Sequence, residues 1–426
     1  MNWKIFRRGL LLLAFVGGGL VARAETLSRE DVMGAIRRAN PSVKAARAGW
    51  EMMKERVPQA RAWEDPMVGV DVERKDTTSF GRYTDTESMF SQSIPLSGKN
   101  LSRSRTAVAE ARAAYEEYRR VELDVETRAK IAYARLANAY TQLEINQRNV
   151  ALLQQFADIS AVKYETGAQS QSEVLIAQTD LLRLSETRAN LERDLNDQQS
   201  LLNVLMNRPA QAPLARPRAL TFRPRDFSFA ELEARALTRR PEVMSAQEKI
   251  GAERARLQLA KREWFPDPRI RVEARQFPDS SSTFNEYDTG IFFSVPWVNF
   301  RKYSAGVREA EKGLENAENL AEAARTESAG LIRDQLRKIE TTAHNYELFR
   351  DKIMPRADQA MAATRAGYES DMSGFLNFIT AQRTFREVEA TGANYLAEYE
   401  IAVAELERIV GDSPSPPAHS QKGPSK

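Results

Sequence analysis

The chain contains the same series of short motifs twice, about 200 residues apart. The pairs are Asn40-Pro41 with Arg240-Pro241, Asp65-Pro66 with Asp267-Pro268, Ile94-Pro95-Leu96 with Val295-Pro296-Trp297, Tyr164-Glu165 with Tyr368-Glu369, and Ala177-Gln178 with Ala381-Gln382. This period is far longer than the ~20–50 residues of a solenoid repeat. The sequence therefore predicts an internal duplication that gives two similar halves.

The first 24 residues have the pattern of a signal peptide. Lys4, Arg7 and Arg8 precede an apolar stretch over residues 9–21, and Ala22 and Ala24 provide small residues for cleavage. The alternative is an uncleaved membrane anchor, but this stretch is shorter than the ~20 residues that a spanning helix needs. We therefore expect an exported protein. Beyond the leader, no segment is apolar enough to predict a transmembrane helix.

Composition excludes several classes of function. The leader holds four of the 62 basic residues, which leaves 58 against 59 acidic residues and argues against nucleic acid as a partner. Cysteine is absent, so the chain has no disulfide, no thiolate metal site and no acylated N-terminal cysteine. With only His344 and His419 as histidines, and no nucleophile-base pattern or phosphate loop, we predict no enzyme, no cofactor and no metal site.

Four short segments alternate between apolar and polar residues, as strands with two different faces do. In the first half, residues 68–73 alternate valine with Gly69, Asp71 and Glu73, and a second strand ends near Ile94. In the second half, residues 270–275 alternate in the same way, and residues 287–295 form the fourth strand. At ~10 residues, such strands match the thickness of an outer membrane.

The remaining sequence predicts long helices. Apolar residues recur every seven positions from Leu101 to Tyr164, except at Glu122, which indicates supercoiling against neighbouring helices. At 1.5 Å per residue, a helix over residues 97–164 is about 100 Å long. We predict its counterpart over 301–368, bent locally at Pro355. Single opening helices over 27–63 and 229–264 precede the strand pairs, and return helices end near Met206 and Val410.

These elements define the expected organisation. The predicted regions are a signal peptide (1–24), a first repeat (25–206), a proline-containing linker (207–227), a second repeat (228–412) and a disordered tail (413–426). Four strands cannot close a barrel, and lipid does not tolerate an open sheet edge. We therefore predict a homotrimer in contact with outer-membrane lipid. The fold class is mainly α with a small β part: a duplicated coiled-coil helical barrel and a transmembrane β-barrel of four strands per chain and twelve per trimer.

The chain resembles the TolC family of outer-membrane efflux channels, and within it the heavy-metal exporter branch of the CzcC/CusC kind. The resemblance covers nearly the whole mature chain and rests on the order of weak motifs in both halves. Besides the duplicated pairs, these motifs are Ala39-Asn40-Pro41, Arg239-Arg240-Pro241-Glu242, Ile94-Pro95-Leu96-Ser97-Gly98-Lys99, Val295-Pro296-Trp297 with Asn299, Gly167 beside Tyr164, and Phe375-Leu376 ahead of Ala381-Gln382-Arg383.

The resemblance implies a passive outer-membrane duct with a long periplasmic extension. Its helical tips dock onto a periplasmic adaptor (a membrane fusion protein) that is coupled to an inner-membrane RND pump. The resemblance favours heavy-metal cations as cargo, and other toxic compounds remain an alternative. A rival hypothesis is a periplasmic adaptor-like coiled-coil protein, but a single helical hairpin would not explain the duplicated strand pairs.

Two sets of residues are candidates for the channel itself. For the lumen of the membrane part, the candidates are Asp71, Glu73, Arg271, Glu273 and Arg275. Their alternative is a solvated strand face outside the bilayer; we favour the lumen because the intervening residues need apolar surroundings. For the gate, the candidates are Glu173, Asp371 and Asn377, and the two acids are equally consistent with exposed loop and helix-cap residues.

The polar turns between the long and the return helices are the expected docking tips. The candidate docking residues are Thr166, Gly167, Gln169, Ser170, Ser370, Asp371, Ser373 and Gly374. The two glycines are expected to serve the backbone geometry of the turns.

Overall fold

The computed structural model describes residues 26–73, 84–278, 281–370 and 372–412. The predicted signal peptide and tail, the turn around Gly81, and Asp371 lie outside these residues. Among the described residues, every helix is too polar or too short to cross a membrane.

The described residues form nine α-helices and one sheet of four strands. The helices are α1 (Arg29–Ala39), α2 (Pro41–Arg61), α3 (Lys99–Glu165), α4 (Gln171–Leu205), α5 (Phe229–Arg239), α6 (Pro241–Arg262), α7 (Phe300–Leu348), α8 (Met354–Glu369) and α9 (Phe375–Val410). The strands are β1 (Met67–Glu73), β2 (Asp85–Ser93), β3 (Arg269–Gln276) and β4 (Glu286–Phe292). A 3-10 turn (Pro296–Asn299) and a π-helical turn (Phe349–Ile353) complete the series.

The long helices pack as a row of four columns. Helices α2 and α4 both pack against α3, which in turn packs against α6 and α9. The last column consists of α7 and α8, which pack against α6 and α9. Two short helices thus lie beside one long helix in each repeat, as the lengths predicted. The row is open at the α2/α4 edge and at the α7/α8 edge within the described part of the chain.

The first long helix has the predicted length and position. Helix α3 has 67 residues and is therefore about 100 Å long. Because it has neighbours on two sides, small residues such as Ala129 and Ala132 are fully buried together with Leu136. Alanine allows the helix axes to approach closely on both sides.

The prediction of a single opening helix in each half was wrong. The chain breaks at Asn40, which separates α1 from α2, and at Arg240, which separates α5 from α6. Both residues have extended backbones because each precedes a proline, and the proline ring disfavours helical geometry in the residue before it. The Asn40 side chain then caps α2 by accepting from the Ser42 and Val43 amides.

The second long helix is interrupted close to the predicted bend. Pro355 has no amide hydrogen, and its ring would clash with the carbonyl of the residue four positions earlier. The helix accommodates this with the π-helical turn Phe349–Ile353 immediately before α8. The column of α7 and α8 thus continues past Pro355 with a local widening.

The four strands form one antiparallel sheet in the order β1-β2-β3-β4. The contact between β2 and β3 joins the two repeats side by side. The fourth strand ends at Phe292, short of the predicted position 295. The reason is local: Pro296 begins a 3-10 turn, so Val295 already has a non-strand backbone.

Four hydrophobic clusters hold the helical part together, the smallest of them formed by Ile250, Ala317 and Ala321 of α6 and α7. One cluster centres on Ile36, Leu136 and Leu202 of the first repeat. A second cluster contains Ile332, Tyr399 and Leu406 of the second repeat. The third contains aromatic residues near the helical turns, and it includes residues of both repeats: Leu153, Phe156, Ala157, Ala177, Leu184, Tyr368, Phe375, Phe378 and Ile379. The ends of the two helical hairpins therefore share one core.

Candidate functional site

The strand register places all five candidate lumen residues on one face of the sheet. Across the sheet, Asp71 pairs with Glu87, and Glu87 pairs with Arg275. Because paired residues in neighbouring strands point to the same side, these residues form one row. Glu73, Arg271 and Glu273 lie at even spacings from them in their strands and therefore share this face.

Ion pairs organise this polar face. Arg271 Nε lies 2.8 Å from Glu273 Oε1, and Arg275 Nη2 lies 3.4 Å from Glu87 Oε2. Glu273 is only 8% exposed. The middle of the polar face is thus covered even in the single chain, whereas the acids of the two outer strands, Asp71, Glu73, Glu286 and Asp288, are exposed.

Sequence reasoning missed four acids on the same face. They are Asp85, Glu87, Glu286 and Asp288. With Asp71, Glu73 and Glu273 they make seven carboxylates, against the three guanidinium groups of Arg269, Arg271 and Arg275. The signal was available, because both acid pairs alternate at a spacing of two within their strands.

The opposite face of the sheet is apolar and exposed. Val68, Val70, Phe90, Val272 and Ile291 share this face through the register. Val68 is 78% exposed and Val70 is 67% exposed. A sheet in water would bury such a face, so its outer side is suited to hydrocarbon.

A polar joint connects the sheet to the helices. The carboxylate of Asp267 accepts from the Ser97 amide at 2.7 Å and from the Ser97 hydroxyl at 2.8 Å, and Lys99 Nζ lies 3.2 Å away. Burial alone would raise the pKa of Asp267, but the donors of Ser97 and the charge of Lys99 lower it overall. Because Asp267 lies in the second repeat and Ser97 in the first, the joint fixes both repeats at the base of the sheet.

The turn after α3 closes in the manner of a glycine-terminated helix. Gly167 has a φ of 75°, in the left-handed region that favours glycine. Thr166 and Ser170 are exposed, and the Gln169 side chain accepts from the Tyr368 hydroxyl at 3.2 Å. This hydrogen bond connects the first turn to the second repeat.

The turn after α8 has a different geometry. Ser370 is exposed, Ser373 is half-buried, and the Met372 and Ser373 amides both donate to the Gly367 carbonyl. Gly374 is the extended cap residue of α9 with a φ of −71°. That conformation suits any residue, so the expected backbone requirement for glycine applies to Gly167 and not to Gly374.

Two of the three gate candidates, Glu173 and Asn377, lie in the helices that follow the turns. Glu173 is half-buried in the first turn of α4, and Asn377 is exposed in the first turn of α9. The amide of Asn377 donates to Ser373 at 3.4 Å. Asp371 falls outside the described residues. Within the described residues, Glu173 and Asn377 form no hydrogen bond with each other.

A buried ion pair slightly farther from the turns was missed. Arg383 of α9 donates to both carboxylate oxygens of Asp180 in α4, at 2.7 and 2.8 Å. Asp180 is 2% exposed. Two parallel hydrogen bonds make this a strong and geometrically specific contact between the hairpins of the two repeats. The sequence repeat places Asp180 and Arg383 at nearly equivalent positions of the two halves, but a repeat does not indicate that such positions are in contact.

The turns also expose apolar side chains. Met372 is 84% exposed, and Val162 and Leu376 are 60% and 58% exposed. A methionine in an otherwise polar turn is a signal that the sequence does contain. In the described ranges, no group of three or more histidine or acidic side chains is arranged to hold a metal ion.

Comparisons with known proteins agree in family and architecture. A family model described as outer membrane efflux protein matches residues 32–208 and 232–412. The toluene efflux pump outer membrane protein TtgF of Pseudomonas putida is 21% identical over 93% of this chain and 82% of its own length. The cobalt-zinc-cadmium resistance protein CzcC of Cupriavidus metallidurans is 23% identical over 91% of each chain.

Solved structures show the same fold. The outer membrane protein VceC of Vibrio cholerae aligns with a TM-score of 0.78 at 15% identity, over 90% of this chain and 96% of its own. At this identity, the similarity establishes the arrangement of helices and strands.

Proposed function

Because the chain belongs to the outer membrane efflux protein family, we propose that three copies form a passive conduit from the periplasm to the exterior. The chain is an outer-membrane protein with a long periplasmic helical extension, and members of this family are channels of efflux systems. The conduit supplies a path, and the energy for transport comes from a separate pump.

The observation that carries this proposal is an open four-stranded sheet with one apolar face and one charged face. One face is apolar and exposed, the opposite face carries the charged residues, and β1 and β4 are left as edges. An open edge is costly in hydrocarbon because its backbone groups lack partners. Pairing β4 of one copy with β1 of the next satisfies both edges. Three copies then make a closed barrel of twelve strands, an even number.

The helical part supports the same closure. The row of four columns has free edges at α2/α4 and α7/α8, just as the sheet has two free strands. Exposed apolar residues lie along the outer columns: Leu182 in α4 is 73% exposed, and Leu320 in α7 is 57% exposed. Three rows joined edge to edge form a tube of twelve columns and bury such residues between copies.

The charged face of the sheet then lines the lumen. In this arrangement Asp71, Glu73, Arg271, Glu273 and Arg275 face water, together with Glu87. The excess of carboxylates supports passage of cations. Heavy-metal cations are therefore our preferred cargo, in line with the relative named for cobalt, zinc and cadmium resistance. Toxic organic compounds are the second class, since another relative is named for toluene efflux.

The turns between the long and return helices are the proposed contact with a periplasmic adaptor of an RND pump. The proposed docking residues are Thr166, Gly167, Gln169, Ser170, Ser370, Ser373 and Gly374, with Asp371 between them in sequence. The exposed Met372 and Leu376 add an apolar component that an adaptor contact would bury. Glu173, Asp371 and Asn377 remain the proposed gate.

The decisive experiment measures assembly and conduction of the full-length protein. We expect a detergent-solubilised trimer by light scattering, and ion conductance after insertion into a planar bilayer. A stable monomer in buffer without detergent, with no conductance, would contradict the proposal. The cargo is tested separately, by resistance of a deletion strain to metal salts and to lipophilic toxins.

A further inference from the structure

The linker between the repeats forms a basic strap over the helical part. We define the strap as residues 207–227; it contains four prolines, five arginines and a single acid, Asp226. Within it the triplet Arg-Pro-Arg occurs twice, at residues 216–218 and 223–225. The two triplets are seven residues apart, and all four of their arginines are exposed.

The backbone of each triplet is anchored by a tyrosine of a long helix. The Arg218 amide donates to the Tyr133 hydroxyl of α3 at 3.1 Å. The Tyr399 hydroxyl of α9 donates to the Arg223 carbonyl at 2.9 Å. A parallel bridge between Leu27 and Pro217 adds backbone hydrogen bonds. The triplets are therefore held in place by their backbone.

A cationic cavity lies beside the triplets. It has a volume of about 300 Å³. Its lining includes five cationic residues, Arg29, Lys130, Arg218, Arg223 and Arg225, and only two acids, Glu30 and Glu400. Arg225 and Lys130 both contact Glu407, at 3.2 and 2.7 Å. Arg218 and Arg223 form no ion pair with any acid in the described part of the chain, so their charges are available to a ligand.

We propose that the strap binds the carboxylate-bearing peptide stems of the bacterial cell wall. The position of the strap favours this polymer over a phospholipid surface. Tyr133 follows the first residue of α3, Lys99, by 34 residues, which places the strap about 50 Å along the helix from the sheet. A bilayer around the sheet is only ~40–45 Å thick in total, so its headgroups do not reach the strap.

The chemistry of the strap matches a repetitive anionic polymer. Guanidinium groups bind carboxylates through two parallel hydrogen bonds. Two equivalent triplets in each chain provide several weak contacts, and linked contacts raise the overall affinity. The proline-rich backbone is already ordered, which lowers the entropic cost of binding. This inference depends on the proposed function in one respect: the strap must lie on the outer side of the proposed tube.

The test is cosedimentation of the detergent-solubilised full-length protein with purified cell-wall sacculi. The variant carries Arg218→Gln and Arg223→Gln. The matched control carries Arg128→Gln and Arg135→Gln, two exposed residues of α3. Arg128 lies two positions before Lys130, and Arg135 lies two positions after Tyr133; Lys130 and Tyr133 both line the cavity. Two positions correspond to about 200° around the helix, so both control arginines lie on the side away from the strap.

We expect the wild type and the control to sediment with sacculi, and the strap variant to bind about tenfold more weakly, as loss of two exposed ion pairs implies. Methyl esterification of the sacculi should abolish binding of the wild type, independently of any folding defect in a variant.

Absence of wild-type binding, equal losses in both variants, or binding to esterified sacculi would overturn the inference. So would strap-dependent binding to phosphatidylglycerol vesicles in place of sacculi. Trimer formation and conductance, measured on the same samples, separate this outcome from failure of the channel proposal.

Discussion

At the scale of single residues, the pair of Lys130 and Glu407 joins the two repeats. Lys130 Nζ lies 2.7 Å from Glu407 Oε2, and the Lys130 side chain is 4% exposed. We expect Glu407→Gln to lower the free energy of unfolding by about 2–3 kcal/mol, because the buried charge of Lys130 loses its partner. This loss is slightly smaller than that expected for a fully buried pair. Glu315→Gln, in an exposed pair with Lys312, should cost under about 1 kcal/mol. Chemical unfolding in detergent measures both; equal losses would contradict the prediction.

The same carboxylate predicts a pH dependence. Burial alone would raise the pKa of Glu407, but Lys130, Arg29 and Arg225 lower it overall. A group whose pKa is lowered by folding stabilises the protein above its unfolded pKa, about 4.3 for glutamate, and loses that contribution as pH falls through the folded value. The stability difference between wild type and Glu407→Gln should thus be constant from pH 7 to 5 and shrink below about pH 4. A difference that grows with acid would be inconsistent with this sign.

The residue scale also shows what the sequence can predict. Alternation predicted that Asp71 shares a face with Glu73, and that Glu273 shares a face with Arg275, because side chains in a strand alternate with a fixed period. The partners of these residues were not predictable, since Glu87 meets Arg275 only through the register between two repeats. The pairs Lys130–Glu407 and Asp180–Arg383 were missed for the same reason, as each depends on packing between distant helices.

At the scale of elements, sequence periodicity predicted the long helices better than their interruptions. Helix α3 is continuous over nearly the whole predicted range, although Leu101, Tyr115 and Tyr164 of its seven-residue series are exposed in the single chain. The breaks at Asn40 and Arg240 were missed although a proline follows each, because the apolar pattern continues across them. At Pro355 the helix continued as expected, but a π-helical turn precedes the proline. Proline restricts the local backbone, and neighbouring helices decide whether the chain breaks or widens there.

The contact between the two hairpins gives a prediction about opening. Asp180→Asn weakens the paired hydrogen bonds to Arg383 that connect α4 with α9. We expect trimers of this variant to show a larger mean conductance than the wild type in planar bilayers. Arg383→Gln should have the same effect, and the double variant should add nothing further, because both changes remove one contact.

The control for this prediction is Arg188→Gln, in an exposed pair of the same helix α4. It should leave the conductance unchanged. Unaltered conductance of Asp180→Asn in intact trimers would exclude the ion pair as a restraint on the hairpins.

The turn after α8 gives a prediction about the adaptor. Met372→Lys places a charge where an apolar contact is proposed, and Met372 is 84% exposed, so the fold should tolerate it. We expect loss of resistance in cells with unchanged trimer levels and unchanged conductance of the purified protein. Lys312→Glu, on an exposed site of α7 far from the turns in sequence, is the control. Full resistance with Met372→Lys would argue against docking through this turn.

At the scale of the whole molecule, the sheet and the helical row pose the same problem. Each is an open layer with two free edges, and each exposes apolar residues that a single chain cannot cover. The duplication is suited to closing both layers, because two similar halves give an even number of strands and of helical columns in every copy. The sequence predicted this arrangement through its repeat, whereas the strand order, with β2 beside β3, required the structure.

Adjacent residues of β1 test which side of the sheet faces lipid. Val70 lies on the exposed apolar face and Asp71 on the charged face. We expect Val70→Lys to cost about 2–4 kcal/mol if it lies near the bilayer centre, and so to reduce the amount of trimer in the outer membrane. Asp71→Lys adds a lysine one position away, on the face that we propose lines the lumen, so trimers should form normally. Its effect should appear as a weaker preference for cations, measured by the reversal potential across a salt gradient. Normal insertion of Val70→Lys together with failed insertion of Asp71→Lys would mean that the faces are assigned the wrong way round.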